Sequence, residues 1–206
     1  DTRPFDKSNG AFGPVDAEIL FGFIITQKPK KIVEIGCGHT TNLMIAARKL
    51  VDEKIDHVCI EPYEFDWLET LTDIELIREK VEDVDLALFR SLEAGDLLFI
   101  DSSHMIRPNG DVLYEYLTIL PALKPGVFIH IHDIFSPYEY LEDWHKNRNM
   151  MWNEMYLLDT ILLHSRDYKV EVPNYYLFKN YGADLIKMFP RSEPNTKPGS
   201  IYLRKI

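Results

Sequence analysis

Apolar residues in this chain fall into two alternating patterns. Short, nearly continuous apolar runs occupy residues 31–35, 57–60, 74–79, 97–100 and 127–131. Between them, apolar positions recur every three or four residues, the spacing of one helix face. That spacing predicts helices over 14–27, 41–50, 65–71, 84–92, 111–123 and 152–165. The first begins at Pro14 and carries Ile19, Leu20, Phe23 and Ile24 on one face. The fifth ends at Lys124-Pro125-Gly126, a strong stop signal. Strands apolar along their whole length belong to a parallel sheet covered on both faces. Two further strand-like runs, 168–172 and 200–206, are separated by a Tyr-, Pro- and Asn-rich segment in which no helix of good length is expected. They read as an antiparallel pair at the sheet edge. The expected fold is a doubly wound α/β sheet of seven strands, mostly parallel with a C-terminal antiparallel hairpin, in a single domain over 1–206. Residues 1–13 read as a loose lead-in.

Charge narrows the partners. The 206 residues carry a net charge of −10, which argues against nucleic acid or an anionic membrane, since both need a basic face. A small-molecule acceptor is expected, and homo-oligomer formation stays open. The two cysteines, Cys37 and Cys59, are too few for a disulfide framework, so a reducing, cytoplasmic setting is expected. No apolar stretch reaches spanning length. The chain begins with Asp rather than Met, so an N-terminal piece is expected to precede it.

The chemistry-bearing residues gather where the strands end. The first strand runs into Val33-Glu34-Ile35-Gly36-Cys37-Gly38-His39-Thr40-Thr41. Glycines there permit a tight turn and close approach of a ligand to the backbone. A dinucleotide fingerprint wants a third glycine where this chain has Thr41. Glu61 follows the second strand, 25 positions after Gly36, and suits the hydroxyls of a ribose. The adenine contact is expected near Glu82 and Asp83. The fourth strand ends at Asp101, with His104 three residues on, and the fifth at His130-Ile131-His132-Asp133. Asp101, His132 and Asp133 are candidate ligands for Mg, Mn or Fe(II), being hard oxygens with one imidazole. His130 is expected to pack.

The turn resembles the E-x-G-x-G motif of class I S-adenosylmethionine (SAM) dependent methyltransferases, with Glu34, Gly36 and Gly38 in place and Thr40 where many members have another glycine. The resemblance implies that SAM packs on Gly36, Cys37, Gly38 and Thr40. It further implies that Glu34 holds the amino group of SAM through water or backbone, and that Glu61 holds the ribose. The Asp101-x-x-His104 element resembles that of metal-dependent O-methyltransferases, especially the sugar O-methyltransferases of macrolide biosynthesis. An acidic pair follows the fifth strand in those enzymes. Only Asp133 matches it here, with His132 in place of a carboxylate. The implied activity is methyl transfer to a hydroxyl of a small molecule, assisted by Mg2+ or another divalent metal. In that reading Asp101 joins both the SAM and metal sites, and a neutral His104 is the general base. Two alternatives belong to other classes: an oxidoreductase using NAD or Fe(II), and a non-catalytic SAM-binding module.

Residues 134–152 are long for a strand-to-helix connection and crowded with aromatics, which suits a lid or acceptor wall. Tyr175, Tyr176 and Phe178 are candidates for the same wall or for a contact between identical chains.

Overall fold

The computed structural model describes residues 5–6, 9–51, 54–189, 192 and 194–206, so the first four residues of the lead-in lie outside the described set. Seven strands follow in chain order: β1 (Lys31–Ile35), β2 (Asp56–Ile60), β3 (Glu75–Ile77), β4 (Leu97–Ile100), β5 (Phe128–Ile131), β6 (Tyr168–Pro173) and β7 (Ile201–Lys205). They form one sheet in the order β3-β2-β1-β4-β5-β7-β6. Every pairing from β3 to β5 is parallel, and β7 runs antiparallel to both β5 and β6. The helices are α1 (Asp16–Gln27), α2 (His39–Arg48), α3 (Leu86–Arg90), α4 (Asp111–Tyr114), α5 (Leu120–Ala122), α6 (Glu142–Asn147), α7 (Glu154–His164) and α8 (Asn174–Met188). A 3-10 helix at Asp66–Thr70 stands where a helix over 65–71 is expected, and another at Val81–Asp83 precedes α3, which is shorter than the helix expected over 84–92. The helix expected over 111–123 forms, but a π turn at Glu115–Ile119 interrupts it between α4 and α5.

The apolar strands are buried because both faces are covered. Val33, Ile35, Leu98, Ile100, Ile129 and Ile131 point into one core, under α4, α5 and α7. Ile32, Leu97 and Phe99 point into the other, against Leu20, Ile24, Leu43 and Met44 of α1 and α2. Alternate residues of one strand thus serve opposite cores, as the pleat requires.

Three expectations are corrected. The C-terminal strands are not a tight hairpin, because α8 lies between them. The sequence hid this helix behind Asn, Tyr and Gly182, all weak helix formers. It is held by tertiary bonds at its start, where Asn174 donates to Asp16 (2.7 Å) and the Asn174 amide donates to the Ser200 carbonyl (2.9 Å). The short α6 was also not expected. Finally, the lead-in is not loose where it is described. Asn9 accepts from the amides of Ala11 and Phe12, and Phe12 is fully buried against Phe99 and His132. Burying such a ring is worth about 1.5–3 kcal/mol. Among the described residues no helix is long and apolar enough to cross a membrane.

Candidate active site

The parallel ladder runs one residue past the strands. Gly36 donates to the Ile60 carbonyl (3.1 Å), Asp101 to Ile35 (2.9 Å) and His132 to Ile100 (3.0 Å). Gly36, Asp101 and His132 therefore stand side by side at the carboxyl edge of β1, β4 and β5, where open α/β sheets bind ligands. Three cavities meet there. One of about 540 Å³ is lined by Gly36, Glu61, Lys80, Glu82, Asp101 and Arg107, among others. A second, of about 190 Å³, reaches Phe12, Cys37, Gly38, Thr40 and Phe65. A third, of about 400 Å³, contains His104, His132, Asp133, Trp144 and Trp152. Asp101 lines all three.

Gly36 is demanded by the chain itself, and Gly38 is crowded by one side chain. Gly36 has φ +79°, and a Cβ there would lie 1.8 Å from the Asp101 carbonyl oxygen. A Cβ on Gly38 would meet the Phe65 ring at 2.6 Å. Thr41, at the place of the absent third glycine, accepts from the Gly38 amide (3.0 Å). That bond uses a donor which a pyrophosphate would need. Glu34 does not reach a cavity. It is fully buried beneath the turn, accepting from Thr40 (2.6 Å) and bonded to His57 (2.8 Å). Thr40 and Cys37 lie at the floor of the second cavity, buried, with the Thr40 hydroxyl committed to Glu34. Glu61 lines both nucleoside-sized cavities, and its carboxylate accepts from the amides of Cys37 (3.3 Å), Tyr63 (2.9 Å) and Glu64 (2.8 Å). Glu82 lines the larger cavity as expected; Asp83 is not among its lining residues.

Beyond β4 and β5 the sequence candidates converge. His132 Nδ1 is 3.4 Å from Asp101 Oδ1 and 3.4 Å from Asp133 Oδ2. His104 Nε2 is 3.3 Å from Asp101 Oδ1 and 3.6 Å from Asp133 Oδ2. His104 (φ 59°) and Asp133 (φ 57°) both adopt the left-handed conformation, uncommon for side-chain-bearing residues, which aims them inward from the strand ends. Burial by itself opposes charge on both imidazoles. For His104 the bonds to Asp101 and Glu154 outweigh it, and for His132 the charges of Asp133 and Asp101 do; both pKa values rise well above the ordinary range. Burial likewise opposes ionisation of Asp101, but His132 and His104 hold its carboxyl well below the usual range. These neighbours favour the charged form of His104, so its service as a base requires that a proton first leave the ring.

Sequence reasoning missed two partners. Glu154, at the start of α7, is fully buried and bonds His104 Nδ1 (2.8 Å) while accepting from the Tyr116 hydroxyl (2.7 Å). Asp16 of α1 faces His132 Nε2 at 3.8 Å and accepts from Gly199 and Ser200. Each lies far along the chain from the group it orients, so no local motif carries it. His130 packs as expected, stacked on Phe99 at 4.2 Å and bonded to Ser200 (2.8 Å). Its pKa falls to about 3, because burial and the neighbouring His132 disfavour the charged form.

Residues 134–152 supply Trp144, Arg148 and Met150 to the third cavity, and Trp152 lies on the His104 ring at 4.2 Å. Ile134, Phe135 and Tyr140 of the same segment are buried in the core, so it is a packed wall. Tyr175 packs edge-on against Phe135, Phe178 is buried and Tyr176 is exposed. None of the three lines this cavity. The lead-in adds Gly10 and Ala11.

Comparison with known proteins agrees with this geometry. Residues 33–134 match the family model described as a methyltransferase domain. A protein of Archaeoglobus fulgidus described as uncharacterized is 41% identical over 92 residues; the match covers 42% of this chain and 42% of that protein. Among solved structures, the fold is similar to the Bacillus cereus O-methyltransferase bound to S-adenosylhomocysteine (TM-score 0.58, 14% identity, 100% of this chain and 84% of that one). It is similar to a Podospora anserina methyltransferase, also with S-adenosylhomocysteine (0.56, 18%, 92% and 77%). A third is the SAM-bound O-methyltransferase TomG of Streptomyces achromogenes (0.57, 14%, 92% and 78%). These likenesses establish the fold, a seven-stranded Rossmann-like sheet.

Proposed function

This chain belongs to the methyltransferase-domain family through residues 33–134, and on that premise we propose that it transfers the methyl group of SAM to a hydroxyl of a small molecule. The observation that carries the reading is the position of Asp101, shared by the two cavities beside the glycine turn and by the aromatic cavity beyond β5. A donor in the first pair and an acceptor in the third would meet at one carboxylate. Ligand-bound relatives of the same fold, such as the Bacillus cereus and Streptomyces achromogenes enzymes, support SAM as the donor.

The chemistry asks little of the protein besides alignment, because SAM brings an activated sulfonium methyl group. The acceptor oxygen forms the new bond to the methyl carbon as the carbon–sulfur bond breaks. The acceptor enters with His104 neutral, its Nε2 proton given up to solvent, and the hydroxyl proton then passes to that nitrogen, which faces Asp101 and Asp133. Glu154 fixes the ring by its bond to Nδ1. Trp144 and Trp152 exclude water and offer flat faces to the acceptor.

Asp101, His132 and Asp133 fit a divalent cation. Their ligand atoms all lie within 4.8 Å of one another. The two 3.4 Å separations are longer than good hydrogen bonds and near the spacing of neighbouring ligands around an ion bound at about 2.0–2.4 Å. When bound, such an ion would balance the carboxylates, fix the acceptor oxygen and lower its pKa.

The test is His104→Ala with calorimetry and a methyl-transfer assay. Turnover is expected to fall by about 10²–10⁴-fold while the dissociation constant for SAM stays within about twofold. Equal loss of binding and turnover would assign His104 to the framework instead.

A further inference from the structure

A second group of metal-type side chains lies on the other side of the glycine turn, and the reaction above does not use it. Glu34, His57 and Cys59 sit on adjacent strands β1 and β2, all fully buried or nearly so. Their ligand atoms also lie within 4.8 Å of one another. Cys59 Sγ is 3.4 Å from His57 Nε2 and 3.5 Å from Glu34 Oε2. Cys37, in the turn itself, brings a second buried thiol beside them, directed at the carbonyls of Glu34 (3.4 Å) and Ile60 (3.6 Å).

We propose that Glu34, His57 and Cys59 hold one thiophilic divalent cation, of which Zn2+ suits these donors best, with Cys37 as fourth donor once its thiol turns from the carbonyls of Glu34 and Ile60. Around zinc, tetrahedral bonds of roughly 2.0–2.3 Å place neighbouring ligand atoms about 3.3–3.8 Å apart. Both contacts of Cys59 already have that spacing. The imidazole–carboxylate pair, at 2.8 Å, must open by about half an ångström to match. His57 is free to make that shift, since its other ring nitrogen has no hydrogen-bond partner. Glu34 is prepared as a one-oxygen ligand: Thr40 holds Oε1 at 2.6 Å and leaves Oε2 for the ion. Such support is usual for a ligating carboxylate. Cys37 lines the second cavity and gives the ion a way in. On binding, the thiols release their protons to solvent and the thiolates take their place at the metal.

The site is independent of the proposed methyl transfer, and its test uses no methyl donor. Chelator-stripped full-length protein in anaerobic, thiol-free buffer is titrated with cobalt(II) chloride. One equivalent should produce a thiolate-to-cobalt charge-transfer band together with the visible bands of a tetrahedral ion, and zinc chloride should erase both. The chain has two cysteines, so a thiolate band can only come from this cluster. Cys59→Ser should abolish the band, and Asp133→Asn, which alters the cluster beyond β5, should leave it intact. Absence of a thiolate band in the wild-type protein overturns the proposal, whether or not the Cys59 variant folds. So does a band undiminished in a folded Cys59→Ser protein.

Discussion

The sheet carries two clusters built from the same side-chain chemistry, and solvent divides them. Asp101, His104, His132 and Asp133 sit beyond the strand ends, lining a cavity with Trp144 and Trp152. Glu34 and His57 sit within the strands, sealed beneath the turn with Cys59. In the first cluster His104 and His132 share the carboxylates at 3.3–3.6 Å, too long for strong bonds. In the second the carboxylate–imidazole distance is 2.8 Å. Loosely shared groups exchange partners readily, while tightly paired ones must first be drawn apart. The same residue types thus face a cavity at the strand ends and face one another in the dry interior beneath the turn.

The sharpest break between them should come from removing one carboxylate of each. Glu34→Ala leaves His57 and Thr40 without their acceptor in a dry interior, with an expected loss of about 3–5 kcal/mol of stability, read as the shift of the urea midpoint. Asp133→Asn should keep a midpoint near wild type and lower methyl transfer by about 100-fold or more. If Asp133→Asn unfolds the protein as readily as Glu34→Ala, the distinction fails.

Alkali gives a smaller effect. Burial opposes the charge on His57, but Cys59 and Glu34 overcome it and raise its pKa to about 9. A histidine raised in the folded state contributes stability that is fully present below its unfolded value near 6.5. The contribution is lost as pH climbs through 9. The urea midpoint should therefore decline between pH 7 and 10, less steeply in His57→Gln, and equal slopes would remove His57 from the account.

The least effect is expected at the rim. A Cβ at Gly38 meets the far edge of the Phe65 ring, which can swing away. Gly38→Ala should cost about 1 kcal/mol and weaken SAM binding more than it lowers the melting temperature. Calorimetry alongside thermal unfolding separates the two.

The strand positions were readable because unbroken apolar runs have few ways to be buried. Asp101, His104, His132 and Asp133 were readable because parallel strands bring their ends to one edge. Glu34 shows the limit of a motif. Its place in the turn pattern was plain, yet a strand residue alternates faces, and the sequence alone did not reveal that its carboxylate turns inward to His57. Glu154 and Asp16 were invisible for another reason: each meets its histidine only after the sheet has closed. The α8 helix was hidden because bonds from Asp16 and Ser200, and not its own residue preferences, stabilise its first turn.

At Gly36 the carbonyl of Asp101 lies where a side chain would otherwise stand. The turn that lines the first two cavities and the strand end that carries Asp101 are thereby in direct backbone contact. In the proposed reaction, adaptation to a new acceptor would fall to the Trp-bearing wall or the docked N-terminal segment, the two parts of the third cavity that lie outside the sheet.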